Sequence, residues 1–382
     1  MKRSLPLIAS VCLLWSGDTQ VFGQAATPKP DDPNGHAPAI PVERVLAVSG
    51  QGYFPVAVRL RDGRIAVVHR GGAGHLSIHG RLDMIFSSDE GKTWTKPTVV
   101  IDSPIDDRNP AFGEADDGTL VIGFWKTATY DEQDHYNPKL DKEKSTWVTR
   151  SQDAGKTWSE PTQIDCADIG VGSPFGHIIT LADKSLLMAI YGFALRPAGE
   201  KRDPERLHSY VYRSTDRGQT WSRLSEIPGP KEQLSETSLL RLPSGKILAA
   251  IRTRGDEMLE SESTDEGQTW STIHALAPRG ILPADLTLLP DNRVLITMGN
   301  RIGPYGVVGI VGDAEGKFDW SKRFALGHRC VQSRLRLPEQ CGACRWTRPH
   351  RPITPPRQTN SRPGRCTPGR CFSVRRRRDD TG

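Results

Sequence analysis

The sequence predicts an all-β protein, a β-propeller with five blades evident. Three observations carry that prediction: a recurring motif, the interval between its copies, and the hairpin pattern that accompanies each copy. The motif is Ser-x-Asp-x-Gly-x-Thr-Trp, at residues 87–94, 151–158, 214–221 and 263–270. Its aspartates, Asp89, Asp153, Asp216 and Asp265, lie 64, 63 and 49 residues apart. A degraded copy, "GDAEGKFDW", places Asp313 another 48 on. Intervals of this length mark an array of supersecondary units, and propeller blades fit them best.

The elements follow in order along the chain. Residues 1–25 read as a secretory signal peptide: Lys2 and Arg3 precede an apolar run, with small residues near Gly23 and Ala25. The run is too short to span a bilayer, so the expectation is export to the periplasm or the extracellular space, without stable membrane insertion. Residues 26–42, rich in Pro, Asp and Gly, are expected to be a flexible leader. "ERVLAVS", residues 43–49, reads as a lone strand that closes the ring by pairing with the last blade.

Five hairpins then recur, from "YFPVAVRLRDGRIAVVHR" to "ADLTLLPDNRVLITMG". Each has period-two apolar runs around a polar or Gly turn. A second pair of strands flanks each motif copy, so the unit has four strands. The motif has a mechanical role of its own. Asp accepts from turn amides, Gly supplies a positive φ, Ser or Thr braces the hairpin, and Trp packs between neighbours. A single active site does not need four equivalent acids, so Asp89, Asp153, Asp216 and Asp265 are expected to be structural.

The hairpin turns and motif turns point to one end of the ring. The long, unequal connections point to the other, where a site is expected. There, aligned by their turns, the second strands end on Arg70, Trp125, Tyr191, Arg252 and Gly299, and Arg301 follows closely. The first strands begin near Tyr53, Arg108 and Asn109, His177, Ser235 and Glu236, and Asp285. Arginines that converge repel unless an anion joins them, and Arg pairs bidentately with carboxylate. Trp and Tyr beside them suit a sugar. The expected ligand contacts are therefore Arg252, Arg301, Arg70, Arg108, Trp125 and Tyr191.

The repeated motif is the Asp-box, and residues 43–325 resemble the sialidase (neuraminidase) family and related bacterial-neuraminidase-repeat proteins. The resemblance implies a six-bladed propeller and an exo-acting, retaining glycosidase for terminal sialic acid. It implies that Arg252 and Arg301 bind the substrate carboxylate and that Glu236 polarises a Tyr nucleophile, a known exception to the two-carboxylate pattern. Charge stabilisation by Arg implies no metal and no cofactor. The chain departs from the family at three points. The start of blade one is "GYFPVAV", without the family's Arg, for which Arg70 or Arg108 could stand in. The loop that should carry the acid/base Asp offers His75 and His79, so Asp106 or Asp107 is the candidate carboxylate, with Asp107 taken as catalytic. The nucleophilic Tyr has no evident counterpart.

Residues 326–382 differ in kind. From Gly327 on there are 14 Arg, no Lys and three acids, and five of the seven cysteines. The overall charge of +6 is therefore a property of the tail, and the body is acidic. A nucleic-acid tail and a cysteine metal site are weak alternatives, so the expected partner is a glycan. A single-base change of reading frame would explain together the composition, the cysteines and the absent sixth blade, and predicts impaired hydrolysis. The alternatives are a non-catalytic glycan-binding propeller and a hydrolase or lyase of another acidic polysaccharide.

Overall fold

The computed structural model describes residue 40 and residues 42–328, apart from 138, 141, 171, 195–205, 230–232 and 302–305. The predicted tail, 326–382, begins inside a strand, since residues 326–328 end the last strand of blade five; the rest of it lies outside the described residues, and with it the expected sixth blade. The described residues form an all-β propeller of five four-stranded antiparallel blades. Blade one is β1 (Tyr53–Arg59), β2 (Ile65–Gly71), β3 (Arg81–Ser87) and β4 (Thr98–Ile101). Blade two is β5 (Asp106–Glu114), β6 (Leu120–Thr127), β7 (Lys144–Ser151) and β8 (Thr162–Ile164). Blade three is β9 (Ser173–Thr180), β10 (Leu186–Phe193), β11 (Leu207–Ser214) and β12 (Ser222–Ile227). Blade four is β13 (Leu234–Arg241), β14 (Ile247–Thr253), β15 (Met258–Ser263) and β16 (His274–Ala275). Blade five is β17 (Ile281–Leu288), β18 (Val294–Asn300), β19 (Gly306–Val311) and β20 (Phe324–His328). The inner strands β5 and β9 also pair in parallel over Ala111–Gly176 and Phe112–His177, joining blades two and three.

The core lies between blades. Phe112, Ile122 and Phe124 of blade two meet Val68, Leu82 and Met84 of blade one, and equivalent layers form between the later blades. Each such side chain, fully buried, contributes roughly 1.5–3 kcal/mol. Second strands are covered on both faces, which is why β2 is buried at every position although its sequence, IAVVHRG, ends in polar residues.

One expectation fails. Residues 43–49 do not form a strand. A strand needs a partner along its edge, and period-two pattern alone does not supply one. Instead Val48 packs on Ile65, Val67 and Ile85 of blade one, while Val45 and Leu46 stay exposed. Just before this segment, Ile40 N–H donates to Ala325 O of β20 at 3.4 Å.

The Asp-box is a fastener between blades as well as a turn brace. In blade three, Asp216 Oδ1 accepts from Thr220 N–H (2.9 Å) and its Oδ2 from the Thr220 hydroxyl (2.6 Å), while Ser214 Oγ accepts from Gly218 N–H (2.8 Å). The same bonds recur around Asp89, Asp153 and Asp265. The hydrogen bonds from Thr93 hold the Asp89 carboxyl down at about 2. Two successive left-handed residues complete each turn: a non-glycine (Glu90, Ala154, Arg217, Glu266) and then glycine. The glycine is needed for space as much as for φ. A Cβ on Gly218 would lie 2.6 Å from Val121 Cγ1 of the preceding blade, and one on Gly267 2.9 Å from Leu187 Cδ1. Gly218→Ala is therefore expected to destabilise by about 1–3 kcal/mol, through overpacking and a strained φ together. Urea unfolding measures it, and an unchanged midpoint would contradict the fastener role.

Candidate functional site

A β-bulge recurs on the inner strand of every blade, at the end opposite the Asp-boxes. Pairing slips between Tyr53 and Val56, Arg108 and Ala111, Leu234 and Thr237, and Ile281 and Ala284. In blade three the slip lies opposite Leu187 and Ala189 of β10. Each bulge inserts residues that have no ladder partner, which re-aims side chains at the rim. Proline, which cannot donate to a ladder, lies within three of the five as Pro55, Pro110 and Pro283, while in blade three Pro174 sits just outside the slip, opposite Ile190. Phe54 and Asn109 adopt left-handed φ values of 51° and 50°. Counted back from its hairpin turn, Glu236 holds the place of Phe54 and Asn109. One bulge position thus supplies an aromatic ring, an amide and a carboxylate to the same rim.

Two charged clusters result. The first centres on Asp106, which is fully buried. Its carboxylate accepts from Arg70 Nη2 (2.7 Å) and Nε (3.1 Å), from Arg108 Nη1 (3.3 Å) and from the Tyr130 hydroxyl. Burial and the Asp106 charge push the Tyr130 hydroxyl well above its ordinary range. Arg70, expected to contact a ligand, is fully buried. Its guanidinium also donates to the carbonyls of Gly74 and Ser77, so it braces the loop between β2 and β3. Arg108 is the more open of the pair. Its guanidinium lies 5.4 Å from the Phe54 ring, 5.7 Å from Trp125 and 5.8 Å from Tyr136, within cation–π range. Trp125 is buried beside it, and among the described residues its indole N–H has no acceptor.

Asp107, expected as the catalytic carboxylate, sits on the other side of β5. It accepts from Ser103 N–H (2.7 Å) and the Ser103 hydroxyl (2.9 Å). Burial raises its carboxyl to about 6. It is turned away from Asp106 and Arg108 by the alternation of the strand.

The second cluster is Glu236, Arg252 and Arg301. Arg252 Nη1 lies 2.6 Å from Glu236 Oε1, and the Ser235 hydroxyl donates to Glu236 Oε2 at 2.8 Å. Arg252 Nε is buried without an acceptor among the described residues. Arg301 is placed by its backbone N–H bond to Gly280 O (2.8 Å). Burial, and then the charge of Arg252, lower its pKa, with Glu236 opposing. Arg252 is paired with the carboxylate, and Arg301 feels the charges of both.

Tyr191 and Asn109 connect the clusters. Asn109 Nδ2 donates to Tyr191 Oη (3.1 Å) and to Ser173 Oγ (2.9 Å). The Tyr191 hydroxyl is pushed up to about 12, first by burial and then by the charge of Glu236, with Arg108 and Arg252 opposing. The structure therefore brings Arg108, Trp125, Tyr191, Glu236, Arg252 and Arg301 to one rim. Deeper down, His177 Nε2 lies 3.3 Å from Asp285 Oδ1, linking blades three and five. Tyr130 was not singled out by the sequence pattern, which offered Asp106 only as the alternative to Asp107 and Asn109 only as a rim position, although the Asn-Pro of the bulge was a usable signal. Among the described residues no group of three His, Cys, Asp or Glu could hold a metal ion.

The BNR repeat-like domain family matches residues 105–301. A sialidase of Paraclostridium sordellii is 26% identical over 209 residues, which cover 50% of this chain and 49% of that protein. The chain thus spans about half the length of that relative. Among solved structures, a protein of unknown function from Dyadobacter fermentans superposes with a TM-score of 0.64 at 21% identity, covering 74% of this chain and 85% of that one. A sialidase from Streptococcus pneumoniae superposes with a TM-score of 0.56 at 16% identity, covering 75% and 64%. These likenesses are of fold.

Proposed function

Because the chain belongs to the BNR repeat-like domain family, we propose that its rim seats the carboxylate of a terminal acidic sugar, sialic acid or a relative. The chemistry proposed is that of an exported, exo-acting, retaining glycoside hydrolase whose turnover is impaired in this chain. The observation that carries the proposal is the Arg252–Glu236 pair with Arg301 near enough to feel both charges, and an Arg252 donor left without an acceptor among the described residues. An arriving anion would relieve the repulsion between the two guanidinium groups and take the open donors. Arg108 is the third candidate for that anion. Trp125 and Tyr191 would lie against the sugar.

In this proposal Glu236 polarises the attacking group and the arginines stabilise the acid as the glycosidic bond lengthens. Impairment draws on Tyr191. Among the described residues it is the tyrosine that feels the Glu236 charge, and it is half-buried with its oxygen already accepting from Asn109 Nδ2, so it is poorly placed to attack. The same observation favours a second proposal, a propeller that binds acidic glycans without cleaving them.

The test is to titrate the full chain with N-acetylneuraminic acid and to assay it on a chromogenic sialoside. Binding with little or no release of chromophore is expected. Turnover at ordinary enzyme rates, roughly 1–10³ s⁻¹, would overturn impairment. Absence of both binding and turnover would overturn the proposal of an acidic-sugar site.

A further inference from the structure

His75 is a titratable side chain at the rim to which the proposed chemistry gives no part. It sits on the loop between β2 and β3, and that loop is fastened from two sides. From blade one, Arg70 donates to the carbonyls of Gly74 and Ser77. From the loop after β6, Asp134 accepts from the Ser77 hydroxyl and from Ile78 N–H, both at 2.8 Å. The Gly80 carbonyl accepts from Asp107 N–H at 2.9 Å. A loop held at both flanks presents its side chain in one place.

That place is beside Arg108. The imidazole packs edge-on to Tyr53 with ring centroids 5.9 Å apart, and against Phe54 at 4.9 Å. The same Phe54 ring carries the Arg108 guanidinium. His75 Nδ1 is buried and has no hydrogen-bond partner among the described residues. A buried polar atom without a partner calls for one, and a ligand at Arg108 is the group that could supply it.

We propose that His75 is a ligand-contacting residue of this rim, and that it takes up one proton from solvent when a carboxylate seats on Arg108. The inference rests on the acidic-sugar proposal above and adds a residue and a proton to it. The charges that act on the imidazole are Arg108 from β5 and Arg70 from β2, Tyr53 from β1 packs on it, and Asp134 from the loop after β6 holds the far flank of its loop. The Asp106 carboxylate is already shared by Arg70, Arg108 and Tyr130. In the free protein, burial and then the charges of Arg108 and Arg70 hold His75 down at about 4, so it is neutral at ordinary pH. A bound carboxylate cancels the Arg108 charge. The imidazole can then protonate, and its Nδ1–H becomes a donor to the ligand. The ligand's negative charge and the proton enter together, so the site gains no net charge.

The sign follows from linkage: a group whose pKa rises on binding makes binding tighter as pH falls. If the bound imidazole returns to its ordinary value near 6.5, affinity rises up to about thirtyfold between about pH 7.5 and about pH 5. Calorimetric titration of the full chain with N-acetylneuraminic acid, in two buffers of different ionisation enthalpy near pH 5.5, counts the protons. Uptake approaching one proton per ligand is expected. His75→Phe keeps the packing on Tyr53 and Phe54 and should abolish both the uptake and the thirtyfold rise. Asp107 titrates in the same window from the far side of β5, so Asp107→Asn is the control in which His75-dependent uptake persists. The His75 Cε1–H resonance of the unmodified protein, followed with and without sugar, reads the same shift if the Phe variant does not fold. Binding without proton uptake, or uptake that survives in His75→Phe, overturns the inference and leaves the acidic-sugar proposal standing. No binding of acidic sugar at any pH overturns both.

Discussion

Asp106→Ala is expected to lower the unfolding free energy by about 3–5 kcal/mol, the largest effect foreseen for any single side chain of the propeller. The reason is the company that carboxylate keeps. Arg70 and Asp106 are both fully buried, and Arg108 nearly so. Asp106 stands between the two guanidinium groups, at 2.7 Å from Arg70 Nη2 and 3.3 Å from Arg108 Nη1. Removing it leaves two buried cations facing each other and a Tyr130 hydroxyl without its acceptor. Added salt should screen the loss only weakly, because the Arg70–Asp106 pair is fully buried. Truncating Arg70 should cost less than truncating Asp106, since Arg108 remains to pair the carboxylate. Urea denaturation of the two variants measures the order. A loss below about 1 kcal/mol for Asp106→Ala, or the reverse order, would show that the cluster is not organised around the carboxylate.

That cluster also shows where the sequence is legible and where it is not. The blades are legible because each Asp-box carries its own hydrogen bonds, so a local pattern reports a local structure. The rim is legible to the level of position: Arg108, Trp125, Tyr191, Glu236, Arg252 and Arg301 can be placed by counting from the hairpin turns. The direction of each side chain is another matter. Asp106 and Asp107 are adjacent, and the sequence offers either as a carboxylate. Strand alternation sends one to Arg70 and the other to Ser103. Which goes where depends on the bulge at Arg108–Ala111, and that register is a property of the sheet. Arg70 illustrates the same limit. It ends its strand where Trp125 and Tyr191 end theirs, but a neighbouring acid in space, thirty-six residues away in the chain, draws it inward. Residues 43–49 have the alternation of a strand and lack a partner along which to extend.

Glu236→Gln and Arg252→Ala are expected to change acidic-sugar affinity in opposite directions. Arg252→Ala removes a donor that would engage the carboxylate and leaves Glu236 facing the incoming anion. Truncation of a buried hydrogen-bonded charge of this kind removes about 2–5 kcal/mol of binding, or roughly thirtyfold to several thousandfold in affinity. Glu236→Gln keeps the side-chain shape and the contact with Ser235, but withdraws the negative charge that now compensates Arg252 and Arg301. The site becomes more positive, the crowding of the two guanidinium groups is unrelieved in the free protein, and an anion gains more by joining them. Affinity should rise by about threefold to tenfold, the scale of the roughly 1 kcal/mol between unit charges about 4 Å apart when water screens them. Any residual hydrolysis should fall in the same variant, because the charge that polarises the attacking group is gone. Titration with N-acetylneuraminic acid at one ionic strength decides the matter. If Glu236→Gln weakens binding as much as Arg252→Ala does, the carboxylate serves chiefly to aim Arg252, and the excess of positive charge around one acid is not what prepares the rim for an anion.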